Sequence, residues 1–376
     1  ATAGQGYFID TTSNTHTINL PSSPSIGDSV AIKDYAGTFA TNNLTIGRNG
    51  KNIQGVANNS LISSARAGLT LVYVDTTRGW VYSKESNVPF FGPLYVTATG
   101  GTVTTSGDFK IHSFTGDGCF VVSCGGNTAG SETVDYLVVA GGGSGGAMPS
   151  SKGGGGGGAG GARVSSGAAS GCYTAGPLGA CVSALPVSAT TYPITVGGGG
   201  SDSNGPNSVF STITSTGGGR GGSNSNGNNG GSGGGAGSPG NSGGSGNTPP
   251  TSPSQGNNGG AGGTSSPNYA GGGGGGATSV GAAGTLPCSP SRGAGGSGIT
   301  SCITASPVGY AGGGGNGIAG GNLGTATDGG AGGGYPGGSS GNADANKGGG
   351  GGGSGRPDDS GGNGGSGIVV IRYKFQ

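Results

Sequence analysis

Short runs of alternating apolar and polar residues fill the first 84 positions. In HTINL, Ile18 and Leu20 fall on one face, and in DSVAIKD, Val30 and Ile32 do the same. Alternation with a period of two is typical of a half-buried β-strand. Turn residues separate the runs, and none of them has helical periodicity. Residues 1–84 therefore predict an all-β module, with strands in GYFIDTT, HTINL, DSVAIKD, NLTIGR, LTLVYVD and GWVYS.

Two local signals refine this pattern. Asn49-Gly50 predicts a two-residue β-hairpin between LTIGR and KNI, because both central positions of such a turn need positive φ. Residues 85–133 predict a linker, SNVPFFGP, and then a bridge of strands in YVTATGG, DFKIHSFTG and CFVVSC. His112 lies inside one of these strands and is interpreted as a structural residue.

Two strands frame the remainder, residues 134–376. Residues 134–140, VDYLVVA, and residues 367–375, GIVVIRYKF, carry apolar side chains on both faces. Strands of this kind are covered on both sides, and we expect these two to pair with each other. Between them the chain is rich in glycine, and strand-like lead-ins such as TYPITV and SVFSTITS recur before glycine runs. The pattern predicts one strand-framed glycine-rich domain.

The composition explains how such a domain can be ordered. Of 376 residues, 102 are Gly, only 8% are charged and the formal net charge is +1, so self-repulsion does not keep the chain open. Segments such as NSGGSGNTPPTSPSQGNN break the three-residue period of collagen. Ordering glycine is entropically expensive. Packed polyglycine II helices, which bond to one another laterally, would offset that cost, with the varied segments as turns between rods.

The same features exclude several functions. Low charge argues against nucleic-acid binding, and no apolar run approaches the roughly 20 residues of a membrane span. The GxGxxG-like strings, as at 230–237, have no following helix, so no cofactor is predicted. Neither a nucleophile elbow nor a triad-like context occurs, and the acidic pair Asp358-Asp359 is interpreted as solvated. No catalytic residue is predicted; cleavage of surface polymers is the enzymatic alternative.

The six cysteines fall into three closely spaced couples. We predict the disulfides Cys119–Cys124, Cys172–Cys181 and Cys288–Cys302, which would indicate an extracellular protein. Zinc binding is the alternative for these residues. No CxxC spacing occurs, however, and both histidines are far from any couple in sequence, so no metal site is predicted.

Several of these motifs resemble bacteriophage tail-fibre proteins. The run from ATGGTVTTSGDFKIHSFTG through VDYLVVAGGGSGG, the glycine runs and the closing GSGIVVIRYKF are similar to the glycine-rich receptor-binding adhesins of T-even-like phages. The segments GYFIDTTS, NLTIGRNGKNIQG and LVYVDTTRGWVYS resemble β-modules in tail fibres of phages of cyanobacteria and other marine bacteria. The resemblance implies a sandwich of polyglycine II helices whose distal loops touch a host receptor, and a homotrimeric stalk.

Three varied segments are the candidate receptor-binding loops, because binding residues concentrate on loops held by a rigid scaffold. They are CYTAGPLGAC, NTPPTSPSQGNN with the PNYA that follows, and CSPSRGAGGSGITSC with the tyrosine beyond it. The alternative is that they only connect rods. The candidate residues are Tyr173, Thr174, Pro177, Leu178, Pro249, Pro250, Pro253, Tyr269, Arg292 and Tyr310.

The sequence therefore predicts a virion tail-fibre or tip protein that works outside the cell. Its partners would be a host outer-membrane protein or surface glycan and other virion proteins. We keep two alternatives: a structural filament or matrix protein, in which the rods supply only rigidity, and an ice-binding protein.

Overall fold

The computed structural model describes residues 1–87, 93–148, 153–171, 177–179, 181–237, 240–264, 270–284, 292–318, 323–335, 339–355 and 359–376. The chain forms two compact units, Ala1–Gly92 and Pro93–Gln376. In the described residues the regular structure is β-strand apart from one 3₁₀ turn, Pro177–Gly179. The predicted fold class, an all-β module followed by a glycine-rich domain, is confirmed.

The first unit packs two small sheets against each other. One sheet has the order β1-β3-β6-β7 and the other β2-β4-β5. The strands are β1 Gln5–Ile9, β2 His16–Asn19, β3 Ser29–Asp34, β4 Leu44–Gly47, β5 Ser60–Ile62, β6 Ala67–Asp75 and β7 Gly79–Asn87.

Side chains fill the core of this unit. Trp80, Leu71, Phe39 and Ile46 are fully buried in one cluster that draws on both sheets. The alternation predicted from sequence appears directly in β3, where every second residue is buried. Asn49-Gly50 forms a turn with positive φ at both residues. The predicted hairpin is wrong, however, because β4 pairs with β5 and not with the KNI segment that follows the turn.

The second unit contains a central sheet, a second sheet and a small hairpin. The central order is β13-β12-β20-β10-β9, with β14 also pairing β12; the second sheet is β17-β16-β15-β11-β8, and β18 pairs β19. The strands are β8 Val96–Thr99, β9 Thr102–Ser106, β10 Phe109–Phe114, β11 Gly118–Gly125, β12 Thr133–Val139, β13 Ala162–Val164, β14 Leu185–Pro186, β15 Thr191–Thr195, β16 Ser208–Phe210, β17 Ile213–Ser215, β18 Ile299–Ser301, β19 Val308–Tyr310 and β20 Ile368–Lys374.

The framing strands β12 and β20 pair with each other, as predicted. They run antiparallel, from Asp135 opposite Arg372 to Val139 opposite Ile368. One face of the pair, which includes Val138 and Ile371, packs into the core shared with the second sheet. The other face packs into a separate core with β18, β19 and rod alanines. Both faces are therefore covered, and the strands close the two ends of the glycine-rich region together.

Beyond these strands the glycine runs form rods that bond laterally. In the 140–146 rod, donors at every third position reach the same neighbour. The amides of 140, 143 and 146 donate to carbonyls of the 153–161 rod, those of 141 and 144 to residues 206 and 203, and those of 142 and 145 to residues 365 and 362. A repeat of three with no internal bonds is that of a polyglycine II helix.

The 153–161 rod lies at the centre of this array. Its amides donate to the 348–354, 216–222 and 272–275 segments, and its carbonyls accept from the 140–146, 232–235 and 314–317 segments. Six neighbours therefore satisfy its backbone groups. The 272–275 segment runs parallel to it and the other five run antiparallel, and the hydrogen bonds are about 2.7–3.1 Å long in both cases.

Close approach explains why these positions are glycine. A Cβ added to Gly156 would lie 2.0 Å from the carbonyl oxygen of Gly314, and one added to Gly157 would lie 2.1 Å from that of Gly143. Such distances are far inside van der Waals contact, and the oxygens belong to neighbouring backbones that are themselves bonded. The lattice therefore has room for the main chain alone.

Three details differ from the sequence-based expectation. The short strands β5 and β9 were not expected, because SLI is brief and TVTTS has a single apolar residue. SVFSTITS is a hairpin rather than one strand, because Ser211 takes positive φ between β16 and β17. Strands β10 and β11 of the predicted bridge, 85–133, pair with β20 and β15 of the glycine-rich region, and the bridge strands share its compact unit.

Candidate functional site

The rods of the second unit have two chemically different ends. The proximal end is defined by Ala140 and Gly367, which adjoin the framing strands. The distal end lies opposite, where the 140–146 rod reaches Met148 and where Asp359 lies, before the glycines of the closing rod. Turns at 201–204 and 223–226 also lie on this side, since the rods that enter them run in the same direction as the 140–146 rod. Distal turns are thus brought together by the lattice.

A step interrupts the lattice at the distal end. The hairpin of residues 197–206 is shorter than its neighbours, and its turn lies beside Ser144, whose amide donates to Ser203 O at 3.1 Å. One turn further along the rod, the amide of Ala147 donates to the hydroxyl of Ser223 at 2.7 Å instead. The neighbouring rods continue past the short hairpin and form the walls of a pocket.

This step pocket has a volume of about 450 Å³ and combines charged, hydroxyl and apolar groups. Arg220 forms an ion pair with Asp202, and its guanidinium also donates to Ser223 Oγ at 3.2 Å. Among the residues that line the pocket, two shielded polar atoms have no hydrogen-bond partner in the described part of the chain: Nε of Arg220 and Oδ2 of Asp359. The lining residues are Ala147, Met148, Ser201, Asp202, Arg220, Ser223, Asp359, Ser360, Gly361 and Asn363.

Neighbouring amides hold the arginine in place. The backbone N–H of Arg220 donates to Asn204 Oδ1 at 2.9 Å, and Asn228 Nδ2 donates to the same oxygen at 2.9 Å. Asn204 itself belongs to the short hairpin. The residue that gives the pocket its positive charge is therefore fixed to the element that forms the floor of the step.

The predicted candidates of the first loop lie at the proximal side or outside the described residues. Leu178 is half-buried against the core beneath β18 and β19. Pro177 begins the 3₁₀ turn, which follows β13 and contacts it. Tyr173 and Thr174 lie outside the described residues, as does Tyr269 of the second segment. Leu178 therefore packs into a core.

The second predicted loop forms a tight proximal turn. Pro249 and Pro250 are exposed and Pro253 is partly exposed, with cis peptide bonds before Pro249 and Pro253. Asn247 Oδ1 accepts hydrogen bonds from the amides of Thr251 and Gln255, at 3.0 and 3.2 Å. The proline turn is accessible, but it is at the opposite end of the rods from the step pocket.

The third predicted loop is largely a rod. Arg292 begins it and is 6% exposed; Tyr310 lies beyond it in β19 and is 3% exposed. Tyr310 belongs to the core beneath the central sheet. Neither side chain is available at the surface, because residues 292–301 pack in the lattice and in β18. The exposed turn at residues 305–307 lies beyond the predicted loop.

One of the three predicted disulfides, Cys119–Cys124, is wrong. Cys119 and Cys124 are free thiols on the same strand, β11. Five residues of strand span roughly 16 Å, whereas a disulfide needs Cα atoms within about 7 Å. Cys181 and Cys302 are also free, and their predicted partners, Cys172 and Cys288, lie outside the described residues.

His112 is buried inside the second unit. Its Nδ1 lies 2.7 Å from Gly100 O and its Nε2 3.0 Å from the hydroxyl of Tyr373, and its ring stacks on Tyr373. Burial lowers the pKa of His112, against a smaller opposing effect of the bond to Gly100. Burial also raises the pKa of Tyr373 to about 12. Both ring nitrogens have partners, so the histidine contributes to packing.

The sequence pattern does not predict the step pocket. The sequence predicts a solvated side chain for Asp359, and no motif distinguishes Asp202 or Arg220. The available signal was the arginine inside the run GGGRGG, since a long charged side chain interrupts a run of glycines there. The short 197–206 hairpin, by contrast, cannot be recognised without knowing which rods are neighbours.

Comparison with known proteins identifies the glycine-rich part. A family model described as a glycine-rich domain matches residues 115–374. A search of curated protein sequences gives no match. In the described residues, no helix is long and apolar enough to cross a membrane, and no group of three or more His, Cys, Asp or Glu side chains could hold a metal ion. Because the matched region exceeds half of the chain, the protein belongs to the glycine-rich domain family.

Proposed function

We propose that this chain is a phage tail-fibre or tip protein that binds a host cell-surface receptor through the distal end of its rods. The supporting observation is the lateral hydrogen-bond lattice, which holds the distal turns on a scaffold with little freedom to move. A preorganised surface loses less entropy on binding. The exposed turn residues Asn224, Ser225 and Asn226 are small and polar. Side chains of this kind can adapt their hydrogen bonds to a receptor surface.

The likeness to tail-fibre proteins supplies the rest of the proposal. The chain would act in the virion, outside the cell, with other tail proteins as partners and a homotrimeric stalk. Because the formal net charge is only +1, attachment should depend weakly on salt. The competing function is a purely structural filament. In a filament, neither end of the rods would bind a receptor.

Epitope insertion can test which end binds. A short peptide tag is inserted between Asn224 and Ser225 at the distal end, or between Ala305 and Ser306 in the proximal turn; all four residues are exposed. The fluorescent full chain is then tested on a panel of bacterial strains, with and without an antibody fragment against the tag.

The antibody fragment should block cell binding only when the tag is distal. Equal blocking from both positions would contradict distal recognition. No binding to any strain by the untagged chain, together with no loss of infectivity when the gene is disrupted in its phage, would favour the filament.

A further inference from the structure

We infer that the step pocket binds one sugar residue of a neutral cell-surface glycan. The inference rests on the proposed function and specifies the ligand chemistry of its distal site. The pocket volume of about 450 Å³ falls within the range of roughly 300–1,000 Å³ that is typical of small-ligand sites.

Unused hydrogen-bonding capacity points to the ligand class. Arg220 Nε is a donor and Asp359 Oδ2 is an acceptor, and neither has a partner among the described residues. A sugar hydroxyl can both donate and accept, so neighbouring hydroxyls on one ring could satisfy the two atoms together. Unpaired polar groups shielded from water are unfavourable, which favours a ligand that restores both bonds.

Charge argues against simple ions. An anion such as a phosphate or a carboxylate would meet Asp202 and Asp359, and an ammonium group would meet Arg220. A neutral polyol avoids both repulsions and still uses every charged group as a hydrogen-bond partner. Charge-assisted bonds of this kind are stronger than those between neutral groups.

The remaining lining residues suit both the polar edge and the apolar face of a sugar ring. Ser201, Ser223, Ser360 and Asn363 offer hydroxyl and amide groups, whereas Ala147 and Met148 offer an apolar wall. A ring presents hydroxyls at its edge and C–H groups on its faces. The wall would contact the C–H face while the polar side holds the edge.

The test uses the full chain and a bacterial strain to which it binds. Cells are treated with periodate, which cleaves vicinal diols, or with protease. Binding should be lost after periodate and retained after protease. The reverse result would indicate a protein receptor and overturn the sugar inference while leaving the proposed function intact.

Variants locate the site. Asp359→Asn, which keeps the side-chain size, and Arg220→Gln should each weaken binding by about tenfold or more. Asp344→Asn is the matched control, because Asp344 forms the ion pair with Lys347 near the proximal turn; its binding should be unchanged. Circular dichroism and thermal midpoints confirm that the variants fold.

The outcomes separate the two proposals. If Asp359→Asn folds and binds periodate-sensitive cells like the wild type, the pocket is not the sugar site, although distal recognition still stands. If no strain binds the wild-type chain, both proposals fail.

Discussion

The interiors of the two units of this protein are filled by different chemical groups. In the first unit, side chains such as Trp80 and Leu71 fill the space between two sheets. In the rod lattice of the second unit, main-chain groups fill it, and neighbouring backbones are too close for a Cβ. The first interior depends on the shapes of side chains, whereas the second depends on their absence. A change of one carbon atom should therefore have very different consequences in the two.

Adding a methyl group to the rod lattice should have the largest effect. Gly156→Ala would place a Cβ 2.0 Å from Gly314 O, where bonded rods cannot separate. We expect the free energy of unfolding of the second unit to fall by about 3 kcal/mol or more, measured by chemical denaturation. Gly198→Ala is the control, because its Cβ would have no atom within 4 Å. Equal effects of the two substitutions would contradict close backbone packing.

Removing one methyl group from the side-chain core should have a moderate effect. Ile46→Val, at a fully buried position of the first unit, should lower the free energy of unfolding of that unit by about 1 kcal/mol. Ile26→Val is the control, since Ile26 is 77% exposed, and it should change stability by less than about 0.5 kcal/mol. A loss at Ile46 as large as that at Gly156 would remove the contrast between the two interiors.

The smallest expected effect is a pH dependence from His112. Its folded pKa is lowered, chiefly by burial, so the folded state keeps it neutral while the unfolded chain takes up a proton below about pH 6.5. Protonation then favours unfolding, and this contribution to stability is lost as the pH falls below that value. Thermal midpoints between pH 7 and pH 5 should fall less steeply in His112→Gln than in the wild type.

His16→Gln provides the comparison, because His16 is exposed. Its midpoint should fall with pH as steeply as that of the wild type. An unchanged slope in His112→Gln would show that the buried ring does not couple stability to pH.

Sequence predicted the strands well where periodicity was strong. Ile18, Val30 and Ile32 are buried as their alternation indicated, and the two apolar faces of β12 lie in two separate cores. The framing pair could be predicted because strands that are apolar on both faces need cover on both sides. Ordered glycine followed from low net charge together with the cost of leaving backbone groups unsatisfied.

The candidate site could be predicted much less well. The varied segments looked like surface loops, yet Arg292 begins a rod and Tyr310 lies in a core. Which turns meet at the distal end depends on the order and direction of the rods, and glycine runs of similar composition do not encode their neighbours. The couple Cys119–Cys124 misled for a related reason, since residues close in sequence are far apart in space along the extended strand β11.

The lattice accepts neighbours of either direction with hydrogen bonds of similar length. Such an array has no fixed number of members, because a pair of rods joined by a turn can attach at its margin without rearranging those already inside. A gene encoding it could lengthen or shorten by whole hairpins while β12 and β20 stay paired. Each added hairpin would bring one new turn to the distal end. The distal surface would therefore grow in discrete increments.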